Sequence, residues 1–150
     1  MILVSACLTG EKCRYNGKDC SNLILKKLKE KGKIVSVCPE VKGGLSVPRL
    51  PCEITGGDGQ AVLEGQARVV NAIGKDLTPE LLAGSYAGLK LAKENKVRLA
   101  VLKSNSAACG VGKIFDGSFK EKLINGNGIL TVLLMKENIR VVSEEEFFGI

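Results

Sequence analysis

The chain holds six cysteines, at positions 7, 13, 20, 38, 52 and 109, and no histidine. Those two counts narrow the chemistry. Without imidazole there is no Ser–His or Cys–His nucleophile, no His-containing zinc site and no general base poised by default near neutral pH. Proton transfer must come from carboxylates, lysines, thiols, hydroxyls or a bound group. No two cysteines stand in a Cys-x-x-Cys relation, so the linear spacings of zinc ribbons, ferredoxins and thioredoxins are absent.

Three of the thiols gain meaning from what precedes them. Cys7 follows the run ILVSA at 2–6, Cys38 follows KIVSV at 33–37, and Cys109 lies in the loop after VRLAVL at 97–102. Each run is short and apolar, the pattern of a buried strand. Helical patterns fall between them. One covers 21–31, with Ser21 as N-cap and Gly32 closing it; a longer one runs from Pro79 to about Asn95 behind Thr78; a third spans about 127–137. Further strands are expected near 67–70 and at 139–142, while 39–59 and 103–119 read as long loops.

Strands alternating with helices predict an α/β fold: a single three-layer, Rossmann-like domain over 1–150 with a mostly parallel sheet. In such a sheet the C-terminal strand ends share one rim, and ligands bind in the crevice there. Cys7, Cys38 and Cys109 can therefore meet in space, and three converging thiols point to a metal or an iron–sulfur cluster. Taken singly, each would pass as a buried apolar residue. Cys13, Cys20 and Cys52 lie within loops and are read as non-ligands.

The segment after the second strand, VCPEVKGGLSVPRLPCEI, is dense in chemistry. Pro39 cannot extend a strand ladder, which places Glu40 at the rim as a general acid–base candidate. Gly43 and Gly44, like Gly110 and Gly112, allow close backbone approach to a ligand. Arg14 and Arg49 are suited to an anionic or carbonyl-bearing substrate; the plainer reading of Arg49 is a salt bridge to Glu40.

The totals bound the rest. At 150 residues, 45% apolar and 25% charged, the chain fits one soluble domain with a real core. The net charge of +6 comes from dispersed lysines and needs no partner beyond solvent. Aromatics are 4% with no tryptophan, a poor supply of base-stacking platforms, which argues against nucleic acid as a partner. The first ten residues lack a signal-peptide pattern and no apolar run is membrane-length, so the expected compartment is the cytoplasm, with no membrane contact. Thiols there are ligands or reactive groups more often than disulfides.

The segments SACLTGEKCRYNG, VCPEVKGGLSVPRLPCEI, GGDGQAVLEG and LKSNSAACGVGKIFDGSF, in that order, resemble the successive motifs of the family first catalogued as domain of unknown function 523. Its members include desulfidases that convert 2-thiouracil to uracil. The resemblance implies a [4Fe-4S] cluster held by Cys7, Cys38 and Cys109, and catalytic roles for Glu40 and for a serine before the third cysteine, best matched by Ser106. It implies a small thiolated substrate and a desulfidase that leaves redox state unchanged. Two readings from other classes fit the residues as well. One is a metal site closed by Cys13 in a module that docks on RNA; the other is a metal-free thiol protein carrying a persulfide.

Overall fold

The structure, a computed structural model, describes residues 1–149. In chain order the elements are β1 (Ile2–Ser5), a 3-10 turn (Ala6–Thr9), α1 (Leu23–Glu30), β2 (Ile34–Val37), α2 (Pro39–Lys42), β3 (Cys52–Thr55), α3 (Gly59–Leu63), β4 (Arg68–Asn71), α4 (Thr78–Glu94), β5 (Leu99–Leu102), β6 (Lys113–Phe115), β7 (Leu123–Asn125), α5 (Ile129–Lys136) and β8 (Arg140–Ser143). The central sheet is parallel throughout, in the order β2-β1-β5-β8.

Side chains of a strand alternate between its two faces, and β1 shows both being filled. Leu3 joins Val37, Ala100 and Val141 in the core beneath α4 and α5, where Leu81, Leu130 and Leu134 are fully buried. Ile2 and Val4 join Val101 on the opposite face, against Leu25 of α1 and Phe147. Helices on both faces of a parallel sheet make the three-layer arrangement expected from the alternating pattern. Among the described residues no helix is long and apolar enough to cross a membrane.

Several boundaries differ from the sequence reading. Asn22, not Ser21, caps α1, its side chain accepting from Leu25 N at 3.1 Å. Thr78 opens α4 but faces away from it, its hydroxyl accepting from Val69 N at 2.9 Å, while Asp76 accepts from Thr78 N at 2.8 Å. The segment 39–59 is not one loop. It contains the single-turn helix α2 and strand β3, which pairs antiparallel with β4. Likewise 103–119 contains β6, which forms a hairpin with β7. Elements of three to five residues are too short for hydrophobic periodicity to register.

α2 is seated on α4 through two glycines. A Cβ at Gly84 would collide with the Pro39 carbonyl oxygen, and one at Gly43 with the Glu80 carbonyl oxygen. The two backbones touch, which fixes where the residues flanking Pro39 lie.

Candidate active site

Three strand ends deliver the site. The 3-10 turn after β1 carries Cys7 and is closed by Thr9 Oγ1 donating to the Ala6 carbonyl at 3.0 Å. Cys38 follows β2 as the N-cap residue of α2, with Pro39 in the first turn. Past β5, the Ser106 hydroxyl accepts from Cys109 N at 2.8 Å, and Thr131 Oγ1 donates to the Cys109 carbonyl at 3.1 Å, so the third thiol sits in a braced turn. All three line one cavity of about 630 Å³ at the C-terminal rim of the sheet, together with Glu40 and Ser106.

Glu40 is held from one side. Arg49 Nε donates to its Oε1 at 3.0 Å, and the Cys52 thiol donates to the same oxygen at 3.4 Å. Its Oε2 has no hydrogen-bond partner among the described residues. Arg49 also donates through Nη1 to the Ser46 carbonyl at 3.1 Å and through Nη2 to the Cys13 carbonyl at 2.9 Å. Its guanidinium therefore holds Glu40 and the 13–15 segment in place; as an arm for substrate it is already engaged. Lys103, another cation of the cavity, is bound to Glu144 at 3.0 Å. Arg14 lines the cavity and, among the described residues, makes no salt bridge; its guanidinium lies 6.0 Å from the Tyr15 ring centroid.

Cys38, Cys109 and Cys13 are held toward their neutral forms. The Cys13 thiol beside Cys38, then burial, push Cys38 well above the ordinary thiol range. Burial pushes Cys109 up to about 12, opposed in part by the Ser5 and Ser106 hydroxyls and reinforced by Cys38 and Glu40. Cys13, within reach of both Cys38 and Cys7, is raised to about 11; the Cys38 thiol lowers it, and the Cys7 thiol and burial outweigh that. Thiolates gathered here need a cationic partner, and binding one releases protons.

The placement of the sequence-predicted residues is mixed. Cys7, Cys38, Cys109, Glu40, Ser106, Arg14 and Arg49 come together. Gly43 and Gly44, expected at the substrate entrance, do not line the cavity. Gly43 is pressed against Glu80 of α4, and Gly44, at φ +103°, ends α2 in a conformation that suits glycine. Gly110 and Gly112 also lie off the cavity; a Cβ at Gly110 would fall 2.6 Å from Ile114 Cγ2, so its role is packing. The sequence reading set aside Cys13 and Cys52, yet both line the cavity, as do Glu53, Tyr15, Phe115 and Phe119. The signal for these was faint: Cys13 and Tyr15 flank Arg14, Phe115 and Phe119 lie in the IFDGSF stretch, and Cys52 and Glu53 follow Arg49 at three and four residues, in segments too short for periodicity.

Among the described residues no three Cys, Asp or Glu side chains converge closely enough to hold a single metal ion. Thiols spread around a roomy cavity suit a multi-iron group, in which each iron takes its own thiolate, better than one tetrahedral ion.

Comparison with known proteins identifies the family and the fold. Residues 2–146 match the model of the 2-thiouracil desulfurase family. The uncharacterized protein YbbK of Bacillus subtilis (strain 168) is 45% identical over 146 residues, 97% of each chain. A solved structure of TudS, named as a [4Fe-4S]-dependent thiouracil desulfidase, superposes with a TM-score of 0.84 at 36% identity, covering 97% of this chain and 91% of that one.

Proposed function

Because the chain belongs to the 2-thiouracil desulfurase family, we propose that it removes sulfur from a thiolated nucleobase or related thiocarbonyl compound of the 2-thiouracil kind. The products are the oxo compound and hydrosulfide. The observation that carries this reading is the meeting of Cys7, Cys38 and Cys109 with Glu40 in one cavity at the strand ends. The likeness to TudS, a protein named as [4Fe-4S]-dependent, supports the cofactor, and Cys7, Cys38 and Cys109 would hold it.

A [4Fe-4S] cluster held by Cys7, Cys38 and Cys109 would supply a Lewis-acidic iron for sulfur. The chain's own residues provide the rest. Glu40 lines the cavity with Oε2 left without a protein partner among the described residues, while Arg49 and Cys52 fix Oε1. It takes a proton from the water that attacks the thiocarbonyl carbon. The carbon–oxygen bond forms as the π pair of the thiocarbonyl moves to sulfur. The remaining carbon–sulfur bond then breaks with its pair also going to sulfur, the carbonyl forms as the added oxygen releases its second proton to solvent, and the proton held by Glu40 goes to the leaving hydrosulfide. One water is consumed and no electrons change hands. Ser106 is fixed by accepting from Cys109 N, which keeps its hydroxyl at the cavity beside the third thiol, in place to orient the water or the substrate. Cys13 favours a second reading, since it lines the same cavity beside Cys38, whose thiol donates to the Cys13 carbonyl at 3.8 Å, and a closed four-thiolate site would use it.

Anaerobic reconstitution with iron and sulfide tests both. The expected result is about four irons per chain with 2-thiouracil turnover, the iron lost in Cys7→Ala, Cys38→Ala and Cys109→Ala and retained in Cys13→Ala. Equal loss in Cys13→Ala moves the site to the closed form, and absence of iron uptake by the wild type removes the proposal.

A further inference from the structure

The chain has four phenylalanines and two tyrosines. Three of those six, Tyr15, Phe115 and Phe119, line the one cavity that holds the thiols. In a protein so poor in aromatic residues, this concentration sets flat apolar faces beside Glu40 and Ser106.

The two phenylalanines arrive on a single device. β6 and β7 form a hairpin with Phe115 opposite Leu123, closed further by Asp116 N donating to the Lys122 carbonyl at 2.9 Å. The hairpin tip, residues 116–122, bends over the cavity. Glu53 of β3 lies beneath it, 8% exposed and without a salt bridge among the described residues. Its Oε1 accepts from Gly117 N at 2.9 Å and from Phe119 N at 3.2 Å. Gly117 is drawn so close to β3 that a Cβ would fall 2.6 Å from the Ile54 carbonyl oxygen. Phe119 has φ +59°, a backbone region that bulky residues avoid. A buried carboxylate bonded only to the backbone of this tip, and a phenylalanine held in a left-handed conformation, show that the position of the tip is enforced. Strain of this kind persists where the surroundings over-determine it, and it gathers at ligand sites.

We infer that the hairpin tip is the specificity wall of the site: Phe119 stacks on a planar heteroaromatic ring, with Glu53 as the positioning residue that sets the tip's height above the cavity. The inference rests on the desulfidase reading and narrows it to flat, unsaturated thiocarbonyl rings. A ring with the same thiocarbonyl and N–H pattern but a saturated, puckered edge offers no face to stack.

The test compares 2-thiouracil with 5,6-dihydro-2-thiouracil on reconstituted protein, and separately measures binding of the product uracil by equilibrium dialysis. The wild type is expected to prefer the flat ring in KM by roughly tenfold, the lower part of what base–aromatic stacking supplies. Phe119→Leu keeps the volume and loses the π face. It should raise KM for 2-thiouracil by about that factor, a larger rise than for the dihydro compound, so that the preference collapses. Glu53→Leu should abolish the preference, and Glu53→Gln, which keeps an oxygen at Oε1, should restore most of it. An unchanged preference in Phe119→Leu overturns the inference, whatever Glu53 variants do. If the wild type desulfidates neither compound but binds uracil, and Phe119→Leu weakens that binding, the wall stands and the reaction falls. If uracil binding is absent or indifferent to Phe119 in that case, both fall.

Discussion

Replacing Gly84 with alanine asks whether α4 sets the position of Glu40. In an unconstrained helix the change stabilises by about 0.5–1 kcal/mol, because alanine loses less backbone entropy than glycine. Here the new Cβ would collide with the Pro39 carbonyl oxygen and stand 2.6 Å from its carbon and 3.0 Å from Gly43 N. These are backbone atoms, so no rotamer change relieves the contact and α2 itself must move. Overpacking of this kind costs about 1–3 kcal/mol, and the middle of that range less the propensity gain leaves a net loss of roughly 1 kcal/mol. With an m-value of about 2 kcal/mol/M, the urea midpoint should fall by about 0.5 M. Gly88→Ala is the matched control. Its Cβ meets only the Leu130 side chain, with the methyls at 3.1 Å, a longer contact and with no backbone atom in it, so its midpoint should lie closer to that of the wild type than does that of Gly84→Ala. Because Pro39 stands between Cys38 and Glu40, Gly84→Ala should also lower 2-thiouracil turnover, while Gly88→Ala should not. A Gly84→Ala protein as stable and as active as the wild type would refute the claim that the glycine contact positions the site.

Two further outcomes follow from the geometry. Glu40→Gln should keep its iron, since it removes no thiol, but lose about 10²–10⁴-fold in kcat, the usual contribution of a positioned proton carrier; iron counts beside turnover would separate this from loss of the cluster. Glu144 gives a pH signature. Burial raises its pKa, but the hydrogen bonds from Ser104 and Lys103 outweigh burial and hold the carboxyl below its ordinary 4.5. A depressed carboxyl contributes stability that is fully present above its unfolded value and is lost as pH falls through the folded one. Glu144→Gln should therefore be less stable by about 1–2 kcal/mol near neutrality, and the two urea midpoints should converge as pH drops below 4.5; a constant gap across that range would contradict the assignment.

The legible part of this fold was the part with repetition. β1, β2 and β5 are short apolar runs that each precede a cysteine, and that repeated adjacency placed three thiols on one rim. The C-terminal rim follows from parallel pairing alone, so Cys7, Cys38 and Cys109 could be brought together without knowing a single angle. What did not show were features that exist only between distant segments. Gly43 looked like a ligand-facing glycine because its partner, the Glu80 carbonyl, is far along the chain. Glu53 is an ordinary strand carboxylate until the hairpin tip folds down on its oxygen. Cys13 and Cys52 sat in irregular stretches, and only the path of the backbone decides whether such a thiol meets the cavity. The aromatic wall was obscured by a low overall count, which says nothing about where the few residues gather.

The order of pairing in the sheet also dictates an order of events in the life of the chain. β1 with Cys7 and then β2 with Cys38 are synthesised ahead of the remaining strands of the sheet, so two walls of the cavity precede the third. The third wall waits for β5, which must slot against β1 before Cys109 can turn inward, and the covering hairpin is made later still. A nascent chain thus exposes two of the thiols long before it owns a complete cavity. Until β5 pairs with β1 and the hairpin tip is laid over the cavity, those two thiols stand without the shelter that the finished fold gives them.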